Sequence, residues 1–212
     1  MSRIASQIHA VGSGLEAFFP KNHGVLTLAG EIQLARGRVH EVLGAGADMF
    51  AVLAAAQAKS PIIWTGRVGD VETLAPTCLQ DFIDPARVIV ASCVTRGEVL
   101  WTTEQALRLP GAACVITELD DGPDLKTSRR LQIAAEEGGA LGILLISARA
   151  QTSAAQTRWR CDPCADEDVP WVWRLIKDKN GRSGAWRVGW STNSGRSDDA
   201  PGLVLMAAAS AA

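Results

Sequence analysis

The chemistry that this sequence suggests most directly is phosphate binding, in the segment GRVHEVLGAGADMFAVLAAAQ. A short apolar run is followed there by Gly44 and Gly46 and then by an Ala-rich stretch of helical length. This order of strand, glycine-rich turn and helix places backbone N–H groups and a helix N-terminus around an anion. From Gly44, the pattern GxxxxGK[ST] would need glycine at 49, lysine at 50 and a hydroxyl at 51. The chain has Met49, Phe50 and Ala51 instead, so the residues that hold phosphate and magnesium are missing.

The elements around this segment predict an α/β fold. Apolar runs of strand length occur at 38–43, 61–65, 88–91, 112–117 and 141–146, and segments of helical length at 49–58, 97–109 and 125–137. Repetition of strand, helix and strand predicts a parallel sheet with helices on both faces. After residue 150 the pattern changes to period two, which predicts antiparallel strands at 157–161, 171–177 and 185–190. We therefore expect a parallel, mixed-edge sheet with antiparallel C-terminal strands.

Charge and hydrophobicity exclude some classes of protein. The chain of 212 residues has a formal net charge of −2, so it has no global field for a polyanion. Residues 126–190 nevertheless hold eleven Lys and Arg against seven acids, which leaves room for a local basic patch. No apolar run reaches the roughly 20 residues that span a bilayer, and the N-terminus lacks the pattern of an export signal. We expect a cytoplasmic protein without a membrane segment.

Cysteines and histidines form no recognisable reactive cluster. Cys161 and Cys164 form a CxxC motif, but one CxxC without a second pair or a nearby histidine is weak evidence for zinc. The acidic loop that follows is not the helix expected after a redox motif, and whether the two cysteines pair or bind metal is left open. His9, His23 and His40 are scattered, and we expect His40 to be a hydrogen-bonded strand residue rather than a catalyst.

Several segments together resemble one family. In order, they are LARGRVHEVLG, FIDPARVIVA, LWTTEQALR, LKTSRRLQIAAEEGGALGILL, TRWRC and GRSGAWRVGW, and they extend from about Gly30 to Trp190. Their order and spacing resemble the ImuA family, which are RecA-like accessory proteins of bacterial damage-induced mutagenesis. The resemblance implies a RecA-like core that has lost its ATPase motifs. It also implies an ImuB-type polymerase-like partner, with an error-prone DNA polymerase III alpha-type subunit, RecA and single-stranded DNA as further candidates.

The positions that a RecA-type ATPase requires are consistent with this loss. Such an enzyme needs an acid after the next strand to activate water and an acid at a later strand end to hold the metal. The strand PIIWT continues into Gly66 and Arg67 instead, and only Glu118 or Asp120 remains for a metal. A phenylalanine in place of the lysine is expected to put an apolar ring where a triphosphate would sit. We therefore predict no catalytic residue, metal or cofactor, and a degenerate phosphate loop formed by Gly44, Gly46, Phe50 and Ala51.

Two groups of basic residues are candidates for contact with DNA. In TRWR, Trp159 would stack on a base while Arg158 and Arg160 neutralise phosphates. A strand with one buried face produces the same alternation. We favour this second interpretation, with the indole in the core and the arginines solvated or paired with the acids that follow. Arg129 and Arg130 lie in the middle of a predicted helix, where a charged solvent face is the usual meaning.

Tryptophans are candidates for a partner interface. Four of the seven lie in the last two predicted strands, at Trp171, Trp173, Trp186 and Trp190. They either pack the edge of the sheet or anchor a protein partner. If the edge of the sheet is unpaired there, a partner strand could add to it.

These observations lead to a domain division and a favoured function. We predict an N-terminal segment at 1–29, a RecA-like core at 30–190, and a tail at 191–212 that is flexible or binds a partner. The favoured function is that of a non-catalytic scaffold in SOS-induced error-prone translesion DNA synthesis. The alternatives are an ATP-dependent RecA-type recombinase relative with a divergent loop, and a SulA-type cell-division inhibitor.

Overall fold

The computed structural model describes residues 23–29, 31–58, 61–71, 79–165 and 170–191, and the backbone of 202–209; the side chains of residues 190 and 191 are outside the description. The strands are β1 (Val25–Ala29), β2 (Ile32–Ala35), β3 (Arg38–Leu43), β4 (Ile62–Arg67), β5 (Val88–Cys93), β6 (Cys114–Asp121), β7 (Leu141–Arg149), β8 (Thr157–Pro163), β9 (Trp171–Asp178), β10 (Gly184–Ser191) and β11 (Gly202–Ala209). The helices are α1 (Ala47–Ala56), the short α2 (Val68–Val71), α3 (Arg96–Arg108) and α4 (Leu125–Gly138), and Pro85–Arg87 forms a 3₁₀ turn.

Within these ranges, nine strands form one sheet in the order β11-β10-β9-β8-β3-β7-β6-β4-β5. The strands from β8 to β5 in this order are parallel, whereas β8, β9, β10 and β11 pair antiparallel in succession. β1 and β2 form a separate antiparallel hairpin. The predicted α/β fold with antiparallel C-terminal strands is therefore confirmed. The sequence analysis did not predict β1, β2, α2 or β11, and the proposed division at residues 29 and 190 stays a prediction.

Two apolar layers enclose the sheet. Helix α1 and the hairpin cover one face, where Phe50, Trp64 and Trp173 are among the largest buried side chains. Helices α3 and α4 cover the other face, with Val115 and Leu131 fully buried. The helices are thus on both faces, as predicted, because successive side chains of each strand point to opposite sides.

Local signals fix the ends of the longer helices. Thr95 and Glu98 form a reciprocal capping box at the start of α3. The Asp124 carboxylate accepts a 2.7 Å hydrogen bond from the Thr127 N–H at the start of α4, and Gly139 ends that helix at φ 74°. Side-chain N-caps of this kind stabilise a protein by about 1 kcal/mol each.

A buried polar network joins β3 to β8 and to the hairpin. The Trp159 indole donates to the Thr157 hydroxyl at 2.8 Å, and that hydroxyl lies 2.7 Å from Nδ1 of His40. His40 Nε2 lies 2.9 Å from the Ala35 carbonyl oxygen. Because a carbonyl only accepts, Nε2 carries the proton and Nδ1 accepts from Thr157. His40 is fully buried, so its prediction as a hydrogen-bonded strand residue is confirmed.

We predict that His40 makes stability depend on pH. Burial lowers the pKa of His40 to about 4 from 6.5. Since the unfolded chain binds the proton more tightly, the stability that neutral His40 contributes is complete above pH 6.5 and is lost as the pH falls towards 4. Urea unfolding at pH 7, 6, 5 and 4 should show a loss of up to about 3 kcal/mol from this residue.

The test variant is His40→Gln, compared with the wild type. It should flatten the pH dependence between 4 and 6.5, because glutamine does not bind a proton in this range. An identical slope in wild type and His40→Gln would contradict the assignment.

Candidate functional site: the cavity at the carboxyl ends of the strands

A cavity of about 600 Å³ lies where several parallel strands end. Its walls come from the loop after β3, the start of α1, helix α2 and the ends of β6 and β7. In open α/β sheets ligands bind outside the carboxyl ends of the strands. The cavity also contains Gly44 of the predicted phosphate loop, so it is the natural candidate for a nucleotide site.

The lining of this cavity is acidic. Its twelve described lining residues include four carboxylates and no lysine or arginine. The carboxylates belong to Asp48, Asp70, Glu118 and Asp120. Burial raises the pKa of Glu118, and the charges of Asp48 and Asp70 raise it further. Burial also raises the pKa of Asp48. The cavity therefore disfavours additional negative charge.

Two neighbouring side chains contact three of these four acids. The Trp64 indole N–H donates to Oε1 of Glu118 at 2.6 Å, which opposes the rise in the pKa of that carboxyl. Arg67, at the end of β4, lies 2.6 Å from Asp120 and 3.3 Å from Asp70. The strand end where a RecA-type ATPase would carry its catalytic acid thus provides a cation that is already paired with carboxylates.

Backbone groups of the glycine-rich loop are already hydrogen-bonded. The Gly46 N–H donates to the Cys161 carbonyl of β8 at 2.9 Å, and the Ala47 N–H donates to the Gly44 carbonyl at 3.0 Å. Gly44 has φ +96°, and a Cβ there would collide with the Cys161 carbonyl oxygen. Only glycine fits this combination of left-handed backbone and close approach. These glycines serve the turn and its packing on β8.

Phe50 does not occupy the cavity, contrary to the expectation that its ring would take the place of a triphosphate. The ring is fully buried, with its centroid 4.7 Å from that of Trp173 and 5.4 Å from that of Trp159. Ala51 is also fully buried. Helix α1 turns this side towards the sheet, because its apolar residues must pack there. The identification of the segment as a degenerate phosphate loop stays a prediction.

The TRWR motif lies on β8 with its indole in the core. Trp159 is 1% exposed, so a base could stack on it only after the core had opened. Arg158 Nε donates to Oε2 of Glu41 at 2.6 Å, and Glu41 is fully buried. Arg160 pairs with Asp162 at 3.0 Å. This is the arrangement favoured from the sequence. The acids that pair with the arginines are Glu41 and Asp162, and residues 166–168, the acids expected from the sequence, lie outside the described residues.

Helix α4 places its two candidate arginines in different environments. Arg130 pairs with Glu104 of α3, which also pairs with Arg108. Arg129 is exposed and makes no ion pair with another residue in the described part of the chain. Of the candidate DNA contacts, Arg129 therefore has the side chain most available to an external anion.

The candidate interface tryptophans differ in how far their side chains are buried. Trp173 is fully buried. Trp171 and Trp186 are half-buried, and the Trp186 centroid lies 5.5 Å from that of Trp159. The side chain of Trp190 is outside the described residues. Trp101 on α3, which the sequence analysis did not single out, is 62% exposed.

The two cysteines of the CxxC motif lie at the end of β8, with Cys161 on the strand and Cys164 directly after it. Cys161 is buried, which raises the pKa of its thiol well above the ordinary value, and Cys164 is half-buried. Neither forms a disulfide. Among the residues that the structure describes, no three His, Cys, Asp or Glu side chains are grouped to hold a metal ion. None of the described helices has the length and apolarity needed to cross a membrane.

Comparison with curated proteins identifies the relatives of this chain. Protein ImuA of Caulobacter vibrioides strain NA1000 / CB15N is 29% identical over 185 residues, and the match covers 72% of this chain and 75% of the relative. Protein ImuA of Caulobacter vibrioides strain ATCC 19089 / CIP 103742 / CB 15 matches with the same identity and coverage. The chain is thus similar to ImuA proteins over most of its length. This confirms the resemblance seen in the sequence, although no protein-family model matches the chain.

Two acidic residues of the cavity were not predicted from the sequence. Asp48 and Asp70 line it, yet neither was considered, because attention was confined to the positions of the phosphate-binding motif. A useful signal was available in the acids that follow each predicted parallel strand. These residues converge at one edge of the sheet when the strands are parallel.

We predict that Phe50→Lys, which introduces the lysine of the motif, will not create a nucleotide site. The variant places an ammonium among buried indoles, so the free energy of unfolding should fall by at least about 3 kcal/mol. Asp48→Lys is the matched control, since it adds a lysine to the cavity at an exposed position and should change stability by less than about 1 kcal/mol. Urea unfolding measures both. Wild-type stability for Phe50→Lys would contradict the core position of the ring.

We also predict unequal roles for the two arginines of TRWR. Arg158→Met leaves the buried Glu41 carboxylate without its cation and should destabilise the protein by about 3–5 kcal/mol. Arg160→Met removes a pair whose arginine side chain is 55% exposed and should cost less than about 1 kcal/mol. The two variants are compared by urea unfolding at pH 7. Equal losses of stability would contradict the assignment of Arg158 to the core network.

Proposed function

We propose that this protein is a non-catalytic RecA-like accessory or scaffold protein of SOS-induced error-prone translesion DNA synthesis, and that it binds an ImuB-type polymerase-like partner. Its homology to ImuA suggests a role in the ImuA/ImuB mutagenesis system. We place it in the cytoplasm, where bacterial replication takes place. The proposal that it does not act as an ATPase rests on the acidic cavity at the carboxyl ends of the strands.

Electrostatics in this cavity oppose a triphosphate. A phosphate needs backbone N–H donors, and usually a lysine, to offset its charge. The described lining has carboxylates instead, and the Gly46 and Ala47 amides already donate to carbonyl groups of the protein. One phosphate charge about 5 Å from one carboxylate would be repelled by about 3 kcal/mol at an effective dielectric constant of 20. Glu118 and Asp120, the acids left for a metal, belong to the same repulsive group.

The proposed partner contacts are the half-buried tryptophans of the C-terminal strands. Trp171 and Trp186 retain exposed ring area, and Trp190 belongs to the same strand as Trp186. Trp173 would act through packing, because it is fully buried. Contacts with an error-prone DNA polymerase III alpha-type subunit, with RecA or with single-stranded DNA are further proposals. For DNA, the exposed Arg129 is the best placed of the predicted residues.

The decisive experiment compares three ligands for the same purified full-length chain. We expect saturable binding of a separately purified ImuB-type protein, no calorimetric signal with Mg²⁺-ATP, and no binding of the tubulin-like cell-division protein. Trp186→Ala should weaken the ImuB-type complex, whereas Trp101→Ala on α3 should leave it unchanged. Circular dichroism checks that both variants remain folded.

Two other outcomes would replace the proposal. ATP hydrolysis that is stimulated by single-stranded DNA and lost in Glu118→Gln would identify a recombinase relative with a divergent loop. Tight binding of the division protein, without binding of the ImuB-type protein, would identify a SulA-type inhibitor.

A further inference from the structure

Basic side chains converge beside the amino ends of β3 and β8, where β9 ends. They belong to Arg38, Arg129, Arg158, Lys177 and Lys179, which we call the basic patch. Burial, together with the positive charges of Lys177, Arg38 and Arg129, lowers the pKa of Lys179. The charge of Arg158 acts in the same direction on Lys177. These cations are therefore close enough to repel one another.

The segment between β7 and β8 holds the basic patch together. The Ala154 N–H donates to the Ser128 hydroxyl of α4 at 2.8 Å, which places the adjacent Arg129 beside this segment. The Lys177 ammonium donates to the Ser153 carbonyl at 2.7 Å. One short stretch of backbone thus joins the helix and the strand that carry these cations.

The acidic side chains next to the basic patch are each paired with an arginine. The pairs are Glu136 with Arg38, Glu41 with Arg158, Asp178 with Arg182, and Glu137 with Arg108. Arg129, Lys177 and Lys179 form no ion pair with another residue in the described part of the chain. Arg129 and Lys179 are exposed, and Lys177 is half-buried. The patch therefore keeps an excess of three positive charges after its acids have been counted.

The sequence of the undescribed segments does not reverse this excess. Residues 1–22 hold Arg3 and Lys21 against Glu16. The acids at 166–168 and 198–199 belong to connections that leave the sheet at the carboxyl ends of β8 and β10. Strand β9 begins at that end and reaches Lys177 six residues later, a distance of about 20 Å.

A phosphate backbone matches this surface better than a protein partner does. The core of a protein interface is depleted of charge and enriched in aromatic residues. Beside the basic patch, the large apolar side chains that the structure describes as exposed are Ile133 of α4 and Ile176 of β9. They lie on different elements, and neither is aromatic. Phosphates, in contrast, are bound by lysine and arginine side chains without any apolar core.

We propose that the basic patch binds the phosphate backbone of a DNA strand, with Arg129, Lys177 and Lys179 as the phosphate contacts. The choice of DNA as the polyanion rests on the function proposed above, whereas the site rests on the charges of the patch. Because phosphates carry no base sequence, binding is independent of sequence and weakens as salt is added. Trp159 stays in the core and takes no part.

The salt dependence of DNA binding is the first measurement. Fluorescence anisotropy of a labelled oligothymidylate of roughly 30 nucleotides, titrated with the full chain, gives the affinity at each salt concentration. Three phosphate contacts on a single strand predict a slope of about −2 for the logarithm of affinity against that of salt. The affinity should therefore fall about twentyfold between about 50 and 200 mM salt. No binding by the wild type at the lower salt would overturn the proposal.

Two double variants with the same change of net charge test where the DNA binds. Arg129→Gln with Lys179→Gln removes two exposed cations of the patch, so binding at the lower salt should weaken at least about tenfold and the slope should become shallower by about 1.4. Arg160→Gln with Arg174→Gln is the matched control, because both arginines are exposed but share Asp162. It should change the affinity less than about twofold. Equal losses would show that net charge alone governs binding and would overturn the proposal.

The same samples separate this inference from the proposed function. If only the patch is wrong, the ImuB-type protein binds and the oligothymidylate does not. If only the proposed function is wrong, the oligothymidylate binds through the patch and the ImuB-type protein does not bind. Binding of poly-L-glutamate in place of the oligothymidylate would assign the patch to an acidic protein and overturn the proposal.

Chemical modification of lysines provides a measurement on the unmodified sequence. It replaces the patch variant if circular dichroism shows that this variant does not fold. Lys177 and Lys179 of the wild type should lose reactivity when the protein is saturated with the oligothymidylate. Unchanged reactivity of both lysines would contradict the assignment.

Discussion

Strand β3 must satisfy two adjacent buried polar groups that point to opposite faces of the sheet. His40 and Glu41 are both fully buried, and both find their partners on β8, in Thr157 and Arg158. These are the residues that stand opposite them in the parallel register of β3 and β8. A slip by one residue would move the imidazole and the carboxylate to the wrong faces and leave both without their partners. The join between the parallel and antiparallel halves of the sheet is therefore set by hydrogen bonding as well as by apolar burial.

The position of the glycine-rich turn depends on the pairing of β3 with β8. Because β3 and β8 are held in register, the Cys161 carbonyl reaches the Gly46 N–H, and Gly44 lies directly beneath the same oxygen. Helix α1 then starts close to β8, and its Phe50 ring packs between Trp159 and Trp173. The segment whose order of elements resembles a phosphate loop is therefore bound to the C-terminal strands in two ways. Its backbone donates a hydrogen bond to β8, and its helix packs on β8 and β9.

The cavity beyond this turn lies at the carboxyl ends of the strands, where a nucleotide site would lie, but its lining is acidic. Carboxylates from α1, α2 and β6 face it, and the nearby Arg67 is paired with two of them. This acidic lining opposes a triphosphate and is the charge argument behind the proposed non-catalytic role. The two ends of the sheet then differ in character, since one is extended by β11 and the other exposes the apolar edge of β5.

The sequence by itself determined the alternating core elements and the resemblance to ImuA proteins. Apolar periodicity, Gly139 and the N-cap residues Thr95 and Asp124 are local signals, and they act through neighbours within a few residues. The alternation in TRWR also indicated that Trp159 would be buried, and it is 1% exposed.

Only the tertiary structure decided which polar groups meet and which way Phe50 faces. His40 and Thr157, and likewise Glu41 and Arg158, are 117 residues apart. The hairpin that supplies the Ala35 carbonyl has strands of only five and four residues. Helix α1 is apolar on nearly every side, with seven of its ten residues buried, so its periodicity could not select the face that packs on the sheet. Contacts of this kind depend on how distant segments pack together, and a single sequence does not record that arrangement in any local pattern.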